Sequence, residues 1–338
     1  EVVLDGVRSA RARESVVSYR AIAGKAICQL IRPVARTLRV RYFLHLFSGS
    51  ARRGELGDQL AQLGTHRGLR MIVVNWDVLR GPEYDLRAPS NVRRLVDMLT
   101  SGVFAGVHAG PPCATWSPVL HAGGGPPNVR TREHPWGRPD LYSLPSWAAQ
   151  EERLDWGTWY LLCAFFALKY VAYTGGSCSL EHHKDRGCHP FPSIWKLEET
   201  AAVEGTPHPR QLTYQRLQID QCMLGAGSQK PTTLSTNGWV SPVLRRACCV
   251  HKERHTAALT KGKDAGRFCT ASSQMYPVHL SRELAKVHLP IIATDGCERP
   301  VPWSHRPDAS MGATFLSCFP WRHASPRVKG TAQVPVLE

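Results

Sequence analysis

Residues 39–50, RVRYFLHLFSGS, are an aliphatic and aromatic run that ends in Ser-Gly-Ser. This composition predicts a buried β-strand followed by a tight turn. Residues 51–64, ARRGELGDQLAQLG, have the apolar spacing of a short helix that ends at Gly64. Residues 69–77, LRMIVVNWD, predict a second buried strand that ends at Asp77. A strand, a helix and a second strand in this order are typical of a β-α-β unit in a parallel sheet.

The same alternation continues along the chain. Residues 88–102, APSNVRRLVDMLTSG, predict a helix, and residues 103–113, VFAGVHAGPPC, predict a third strand. Residues 118–150 are rich in Pro, Gly, Trp and Arg, which predicts a long surface loop. The remaining predicted elements are a buried helix over 155–175, strands over 177–183, 217–225 and 232–237, and a final amphipathic helix over 276–289.

Composition and charge limit the class of protein. The chain has 338 residues, of which 43% are hydrophobic and 20% charged, enough for one large or two modest domains. No run of about 18 apolar residues is present, so the sequence predicts no membrane span. The net charge of +15 and a pI near 9.6 predict a polyanionic partner, most often nucleic acid. The alternative is a protein that is basic throughout, with no polyanionic partner.

Cysteine usage and the chain ends bear on compartment and organisation. The 11 cysteines are odd in number and no apolar signal segment opens the sequence. We therefore expect reduced thiols and an intracellular protein, in the nucleus of a eukaryote or the cytoplasm of a bacterium.

Because no initiator Met is present, we expect a fragment or a processed product. Residues 1–40 predict a basic arm, residues 41–290 the main domain, and residues 291–338 a disordered, proline-rich tail.

Polar residues follow two of the predicted strands. The first strand ends in a turn that contains Gly49, where backbone N–H groups can approach a ligand. The second strand ends at Asp77, and an acidic residue at this position can accept hydrogen bonds from ribose hydroxyls. Because the carboxyl ends of parallel strands lie at one edge of a sheet, both features indicate a ligand site at that edge.

Cys113 follows the third predicted strand in the sequence GPPCATWS, at the same edge. Pro111 and Pro112 fix their φ angles and would hold the thiol in place. A nucleophilic cysteine also needs a lowered pKa or a nearby proton donor. The alternative interpretation is a buried, unreactive cysteine beside a turn.

Glu181 is the candidate partner of this thiol. It lies in SLEHHKDRG, near the end of a short predicted strand, and a carboxyl group facing a nucleophile can act as a general acid. In the alternative interpretation Glu181 caps a turn, and His182 and His183 are surface residues.

Five short motifs, taken in their order, resemble the DNA cytosine-5 methyltransferases. The similarity extends from about Tyr42 to Leu289, and residues 266–285, GRFCTASSQMYPVHLSRELA, are similar to the last helix of the family. The resemblance implies an α/β fold with a Rossmann-like methyltransferase sheet, helices on both faces and a small basic insert. The motifs are LFSGS at 46–50, WD at 76–77, GPPCATWS at 110–117, SLEHH at 179–183 and MLGAGSQKPT at 223–232.

The resemblance implies a role for each candidate residue. Cys113 would attack carbon-6 of cytosine and make carbon-5 nucleophilic, while Glu181 would contact ring nitrogen 3 and the exocyclic amine. The target base would have to be flipped out of the duplex. S-adenosylmethionine would be the methyl donor and DNA the partner, with RNA as an alternative. The cofactor-binding residues would be Phe47, Ser48, Gly49, Asp77 and Pro111, and the nucleic-acid contacts Ser117, Lys230, Arg245 and Arg246.

The sequence also departs from the family pattern. A second glycine expected in the first motif is replaced by Ala51, which is followed by two arginines. Glu181 is followed by two histidines rather than Asn and Val, and Lys230 is the one basic match to a Gln-x-Arg-x-Arg motif. These departures leave a second hypothesis open, a catalytically inactive protein with a methyltransferase fold that binds nucleic acid.

The insert at about residues 234–269 is short. Reading a base sequence needs several side chains in a groove, so we expect little sequence preference and an affinity dominated by phosphates. We expect these phosphate contacts from the basic arm, from Arg130 and Arg132, and from the arginines of the insert.

The insert also contains RRACCVHKERH, in which cysteine and histidine spacing suggests a zinc site. The segment has no Cys-x-x-Cys pair, so we assign no metal and interpret it as a basic loop. Five tryptophans between residues 116 and 159 are interpreted as packing residues rather than base-stacking platforms. The candidate ligands are Cys248, Cys249, His251, His255 and Cys269, and the tryptophans are Trp116, Trp136, Trp147, Trp156 and Trp159.

Overall fold

A computed structural model describes residues 40–122, 126–251, 255, 263–264, 267–268 and 275–294. The predicted basic arm and the predicted disordered tail therefore lie almost wholly outside the described residues. Where they overlap, the structure corrects both boundaries. Val40 already belongs to the first strand, and the last helix continues to Ala293, past the predicted start of the tail.

The described chain alternates strands and helices as the sequence predicts. The helix predicted over 155–175 begins earlier, at Trp147, and so includes the end of the loop predicted over 118–150. The predicted strand over 217–225 is shorter than expected, because residues 221–224 form a 3₁₀ turn. The strands are β1 (Val40–Leu46), β2 (Arg70–Trp76), β3 (Phe104–Ala109), β4 (Ser177–His183), β5 (Gln215–Asp220), β6 (Pro231–Thr236), β7 (Lys263–Asp264) and β8 (Arg267–Phe268). The helices are α1 (Leu56–Thr65), α2 (Pro89–Thr100), α3 (Trp147–Tyr173), α4 (Glu198–Glu204), α5 (Pro242–Arg245) and α6 (Val278–Ala293).

Six strands form one mixed sheet in the order β2-β1-β3-β4-β6-β5. The first four run parallel, whereas β6 is antiparallel to both β4 and β5. A wholly parallel sheet is therefore the wrong prediction. The physical reason is the connection over residues 221–230, which contains only one short turn and no crossover helix, so β6 returns antiparallel beside β5.

Helices cover both faces of the sheet, as predicted. Along β1, the side chains of Tyr42, Leu44 and Leu46 pack on one face with residues of α2 and α3. Phe43 points to the opposite face, where it joins residues of α1 and α6. This alternation follows from the two-residue period of a strand, and apolar residues on both sides are typical of a sheet buried between two helical layers.

The strand order reverses direction at β1. From β1 the chain moves outward to β2 and then returns to place β3 on the other side of β1. The connections that leave the carboxyl ends of β1 and β3 therefore run in opposite directions, and ligands of open α/β sheets bind at such a point. In the part of the chain that the structure describes, no helix combines the length and the apolar character needed to cross a bilayer.

Candidate functional site

The turns after β1 and β2 are tied together by backbone and side-chain hydrogen bonds. Phe47 has a φ of 58°, and its amide donates to the carbonyl oxygen of Trp76 at 2.8 Å. Gly49 has a φ of 69°, which glycine adopts without strain, and its amide donates to Asp77 Oδ2 at 2.9 Å. Asp77 Oδ1 accepts from the amide of Leu79 at 2.9 Å. Asp77 thus fixes the Gly49 turn, 28 residues earlier in the chain.

A buried ion pair supports the same turn. Arg80 Nε donates to the carbonyl oxygen of Gly49 at 2.6 Å, and its guanidinium also pairs with the carboxylate of Glu55. Glu55 is 3% exposed and accepts a second hydrogen bond from Asn75 at 3.4 Å. Beside them, the buried hydroxyl of Ser48 has no hydrogen-bond partner among the described residues. A buried unpaired hydroxyl is unfavourable on its own and marks a place where a ligand atom can bind.

The loop after β3 passes close to Glu181. At Gly110, a Cβ atom would clash with the hydroxyl of Tyr276 and would lie 3.3 Å from Glu181 Oε2. Only glycine fits this position without displacing a side chain. Pro111 is buried and Cys113 is half-buried, so the loop turns with its backbone against the carboxylate. The structure therefore brings the predicted cysteine loop and the predicted carboxylate to one place.

Glu181 is a buried strand residue with three polar neighbours. It is 7% exposed, accepts from the Tyr276 hydroxyl at 3.0 Å and from Gln221 Nε2 at 3.4 Å. The ammonium of Lys230 lies 3.6 Å from Glu181 Oε1. The alternative in which Glu181 caps a turn is wrong, because β4 continues through it and pairs with β6. His182, interpreted in that alternative as a surface residue, is buried.

A chain of buried hydrogen bonds starts at Tyr276 and extends through the sheet. The Tyr276 oxygen lies 3.1 Å from His108 Nε2, and His108 Nδ1 lies 2.7 Å from the Ser179 hydroxyl. That hydroxyl lies 2.9 Å from His288 Nε2, and His288 Nδ1 lies 2.8 Å from the Ser177 hydroxyl.

The direction of this chain follows from its end at the carboxylate. Because Tyr276 donates to Glu181, the Nε2–H of His108 donates to the tyrosine oxygen. His108 Nδ1 then accepts from Ser179, whose oxygen accepts from His288. Burial lowers the pKa of His108 to about 3 and that of His288 well below its usual range. Both rings are therefore neutral near pH 7, as these hydrogen bonds require.

The environment of Cys113 acts on its ionisation in two directions. Burial raises the pKa of the Cys113 thiol above its ordinary value, Lys230 lowers it, and the Glu181 carboxylate raises it. The net shift is upward, so most of the thiol is protonated near pH 7. Lys230 is thus the side chain that favours the thiolate.

Arg130 is a buried residue that supports the Cys113 loop. Its side chain is not available to a phosphate. It is fully buried, and its guanidinium donates to Thr115 Oγ1 at 3.0 Å and to the carbonyl oxygens of Pro135 at 2.7 Å and Leu154 at 3.1 Å. The guanidinium also lies 4.2 Å from the ring centre of Trp116. The expectation of a phosphate contact at Arg130 is therefore wrong, because protein oxygens already hold its charge in the interior.

Two further predicted nucleic-acid contacts, Ser117 and Arg132, each have a partner within the protein. The hydroxyl of Ser117 accepts from the amide of Val119 at 3.3 Å and so caps the turn that follows. The guanidinium of Arg132 is 3.7 Å from Asp185, and both side chains are partly exposed. Neither interaction prevents a contact with a bound molecule.

The remaining predicted contacts are separated from one another. Lys230 lies against Glu181 rather than on an open surface. Arg245 and Arg246 are exposed at the end of α5, and Arg245 donates to Gln215 Oε1 at 3.0 Å. Lys230 therefore belongs to the carboxylate site, whereas the two arginines are free to meet an anion.

The tryptophan-rich segment is mainly a packing segment, as predicted. Trp116, Trp156 and Trp159 are buried, and Trp136 packs against the same core while partly exposed. Trp147 differs, because 44% of it is exposed.

Five residues of this site did not emerge from the sequence. Long-range contacts define their roles, so no local pattern indicates them. For the pair of Glu55 and Arg80 the signal was weak, since Arg80 lies three residues after Asp77 but Glu55 lies inside the predicted helix over 51–64. Tyr276 had another signal, because it begins the predicted last helix, which is similar to the last helix of the family. The five residues are Glu55, Arg80, His108, Gln221 and Tyr276.

Comparisons with protein-family models, with curated proteins and with solved structures find no match to this chain.

Proposed function

We propose that this chain is an S-adenosylmethionine-dependent methyltransferase that acts on carbon-5 of cytosine in DNA, with Cys113 as the nucleophile. One observation carries the proposal. The buried carboxylate of Glu181 and the loop that carries Cys113 meet at Gly110, where a side chain would clash with the Tyr276 hydroxyl. A cysteine and a fixed carboxylate at the carboxyl edge of an α/β sheet suit covalent attack on a polar ring.

The fold proposal is a Rossmann-like methyltransferase sheet. The strand order β2-β1-β3-β4 and the helices on both faces support it. The Gly49 turn leaves β1 at the reversal of strand order, where ligands bind in open α/β sheets.

The residues after β1 and β2 fit the proposed cofactor. Each Asp77 oxygen accepts one backbone hydrogen bond, and a carboxylate has about four lone-pair sites, so acceptor capacity remains for ribose hydroxyls. The Ser48 hydroxyl is buried and unpaired among the described residues, as expected of a group that meets a ligand. Phe47 is adjacent to Ser48 in the chain, and Pro111 is buried in the loop after β3. S-adenosylmethionine, when bound, supplies an electrophilic methyl group.

The chain's own residues would carry out the other half of the chemistry. The Cys113 thiolate would form a bond to carbon-6 of cytosine, which moves electron density toward carbon-5. Glu181 would hold ring nitrogen 3 and the exocyclic amine. Its oxygens are fixed by Tyr276 and Gln221, so the carboxyl group is oriented before the base arrives. Release of the product requires the bond between Cys113 and carbon-6 to break as the carbon-5 proton leaves.

Lys230 would promote the attack. Because burial raises the pKa of the Cys113 thiol, the thiolate is the minor form near neutral pH. A positive charge close to both Cys113 and Glu181 increases its population.

The charge of +15 supports DNA as the partner, and RNA is the alternative nucleic acid. A base inside a duplex is out of reach of the thiol, so the target cytosine would be extruded into the site. We further propose an intracellular location, which is supported by the seven free cysteines of the described residues.

A second candidate function is nucleic-acid binding by an inactive methyltransferase fold. The upward shift of the Cys113 pKa favours it, since an efficient nucleophilic cysteine has a lowered pKa.

Transfer of a labelled methyl group from S-adenosylmethionine to duplex DNA separates the two functions. The active enzyme labels carbon-5 of cytosine in DNA, and Cys113→Ser abolishes the label. Cys188→Ser is the matched control, because Cys188 is an exposed free cysteine outside the site. DNA binding without labelling would support the inactive protein, and labelling of RNA alone would change the substrate.

A further inference from the structure

Four cysteine and histidine side chains converge beyond the end of β5. They are Cys222, Cys249, His251 and His255, and one ligand atom from each lies within 4.8 Å of every other. Cys222 comes from the 3₁₀ turn after β5, whereas the other three follow α5. The sequence pattern did not include Cys222, and this residue completes a set of two thiols and two imidazoles.

Two distances inside the cluster are close to those between ligands of a tetrahedral metal ion. Cys249 Sγ lies 3.3 Å from His251 Nδ1 and 3.4 Å from His255 Nε2. Zinc binds sulfur at about 2.3 Å and imidazole nitrogen at about 2.0–2.1 Å, so tetrahedral geometry places S and N about 3.5 Å apart. The two imidazole rings are nearly perpendicular, at 86°, so they do not stack on each other.

Two hydrogen bonds of Asp220 hold the two contributing segments together. The amide of Cys249 donates to Asp220 Oδ2 at 2.8 Å. The amide of Asp220 donates to the carbonyl oxygen of Ala247 at 2.6 Å. Asp220 therefore fixes the start of one segment against the end of β5, two residues before Cys222. Such support from outside the ligand set is typical of metal sites.

We propose that Cys222, Cys249, His251 and His255 form a structural zinc site. The ligand set contains no carboxylate, and two sulfur and two nitrogen donors are typical of structural zinc. Four protein ligands fill a tetrahedral shell and leave no position for substrate, so the ion has a structural role. The assignment of no metal to this segment is thereby replaced.

The ion would connect the insert to the proposed catalytic centre. Cys222 is adjacent to Gln221, whose side chain donates to Glu181 at 3.4 Å and to Thr232 at 3.1 Å. A metal at Cys222 fixes the turn that presents this amide. Zinc binding itself does not depend on the proposed methyltransferase function.

The test is the zinc content of the full chain purified under reducing conditions. We expect one zinc per chain by mass spectrometry of the metal, and Cys249→Ser should lose most of it. Cys248→Ser is the matched control, since Cys248 is an exposed neighbour outside the cluster and its loss should leave the zinc in place.

Cobalt substitution of the wild-type chain keeps the test independent of variant folding. Bound Co²⁺ should give the absorption of a tetrahedral site with two thiolate ligands, and added zinc should remove it. A wild-type chain that binds neither metal after supplementation would overturn the proposal. Equal loss of zinc in Cys248→Ser and Cys249→Ser, or a cobalt spectrum without thiolate absorption, would do the same.

Discussion

Tyr276 donates a hydrogen bond to Glu181 across 3.0 Å, although 95 residues separate them in the chain. The contact joins Tyr276, two residues before α6, to β4, so the start of the last helix is anchored where the cysteine loop passes. Gly110 lies against the same two groups, and a larger residue there would separate them. The geometry of the proposed catalytic centre thus depends on three distant parts of the chain.

The buried histidines should make the protein less stable as pH falls. Burial lowers the pKa of His108 to about 3 and those of His182 and His288 well below the usual range. The unfolded chain binds protons at these residues below about pH 6.5, whereas the folded chain does not. The free energy of unfolding should therefore be highest above pH 6.5. As the pH decreases below this value, the free energy of unfolding should fall by about 1.4 kcal/mol per pH unit for each such histidine.

Urea unfolding from pH 7 to pH 5 measures this effect. His288→Gln removes one of the protons and should make the pH dependence shallower. His66→Gln changes an exposed histidine and should leave the slope unchanged. A stability that does not vary with pH in this range would contradict the prediction.

The reactivity of Cys113 should depend on Lys230. Burial raises the pKa of this thiol, Lys230 lowers it, and only the thiolate reacts with iodoacetamide. The rate of alkylation should therefore continue to rise as the pH passes the ordinary pKa of a cysteine. In Lys230→Gln the pKa rises further, so alkylation should be slower than in the wild type at any fixed pH below the pKa.

Peptide mapping by mass spectrometry follows alkylation at Cys113 alone. Lys184→Gln is the control. Lys184 directly follows β4, the strand that carries Glu181, so this variant also removes a positive charge near that strand. Identical pH profiles for the wild type and Lys230→Gln would show that Lys230 does not act on the thiol.

Asp77 should contribute to cofactor affinity. Its carboxylate holds the Gly49 turn and retains acceptor capacity for ribose hydroxyls, so Asp77→Ala should weaken S-adenosylmethionine binding by roughly 1.5–3 kcal/mol. Calorimetry measures the affinity, and circular dichroism checks that the fold persists. Asp140→Ala removes an exposed carboxylate elsewhere and should bind normally. A wild-type chain without binding at millimolar cofactor would refute the cofactor assignment.

DNA affinity should be dominated by phosphates and fall steeply with salt. The slope of log affinity against log salt is about −0.9 for each phosphate neutralised. Replacing the exposed Arg245 and Arg246 with glutamine should flatten the slope, as should deletion of residues 1–38. Cofactor binding should persist in both. Affinities that differ more than a hundredfold among unrelated duplexes at one salt concentration would instead show that the insert reads bases.

Much of the fold could be predicted because its signals are local. Apolar runs over 39–50 and 69–77 gave β1 and β2, and the parallel strands placed Gly49, Asp77 and Cys113 at one edge. The reversal of β6 was not predicted, because an isolated strand sequence carries no direction. Its direction depends on the length of the connection from β5.

The site could be predicted only in part, since partners distant in sequence decide the role of a polar residue. Arg130 was predicted to contact a phosphate, because it lies among tryptophans in a basic segment. Instead, Thr115 and two backbone carbonyl groups hold it in the core. Cys222 lay in a predicted strand, and only the fold brings it beside Cys249.

Covalent trapping on DNA that carries 5-fluorocytosine tests the central claim most directly. Fluorine at carbon-5 cannot leave as a proton does, so the bond between Cys113 and carbon-6 should persist after methyl transfer. With S-adenosylmethionine present, the wild type and Cys188→Ser should give a protein–DNA band that survives denaturation. Cys113→Ser should give no such band, because an alcohol is a far weaker nucleophile than a thiolate. No band from the wild type, or a band that persists in Cys113→Ser, would contradict the assignment of Cys113 as the nucleophile.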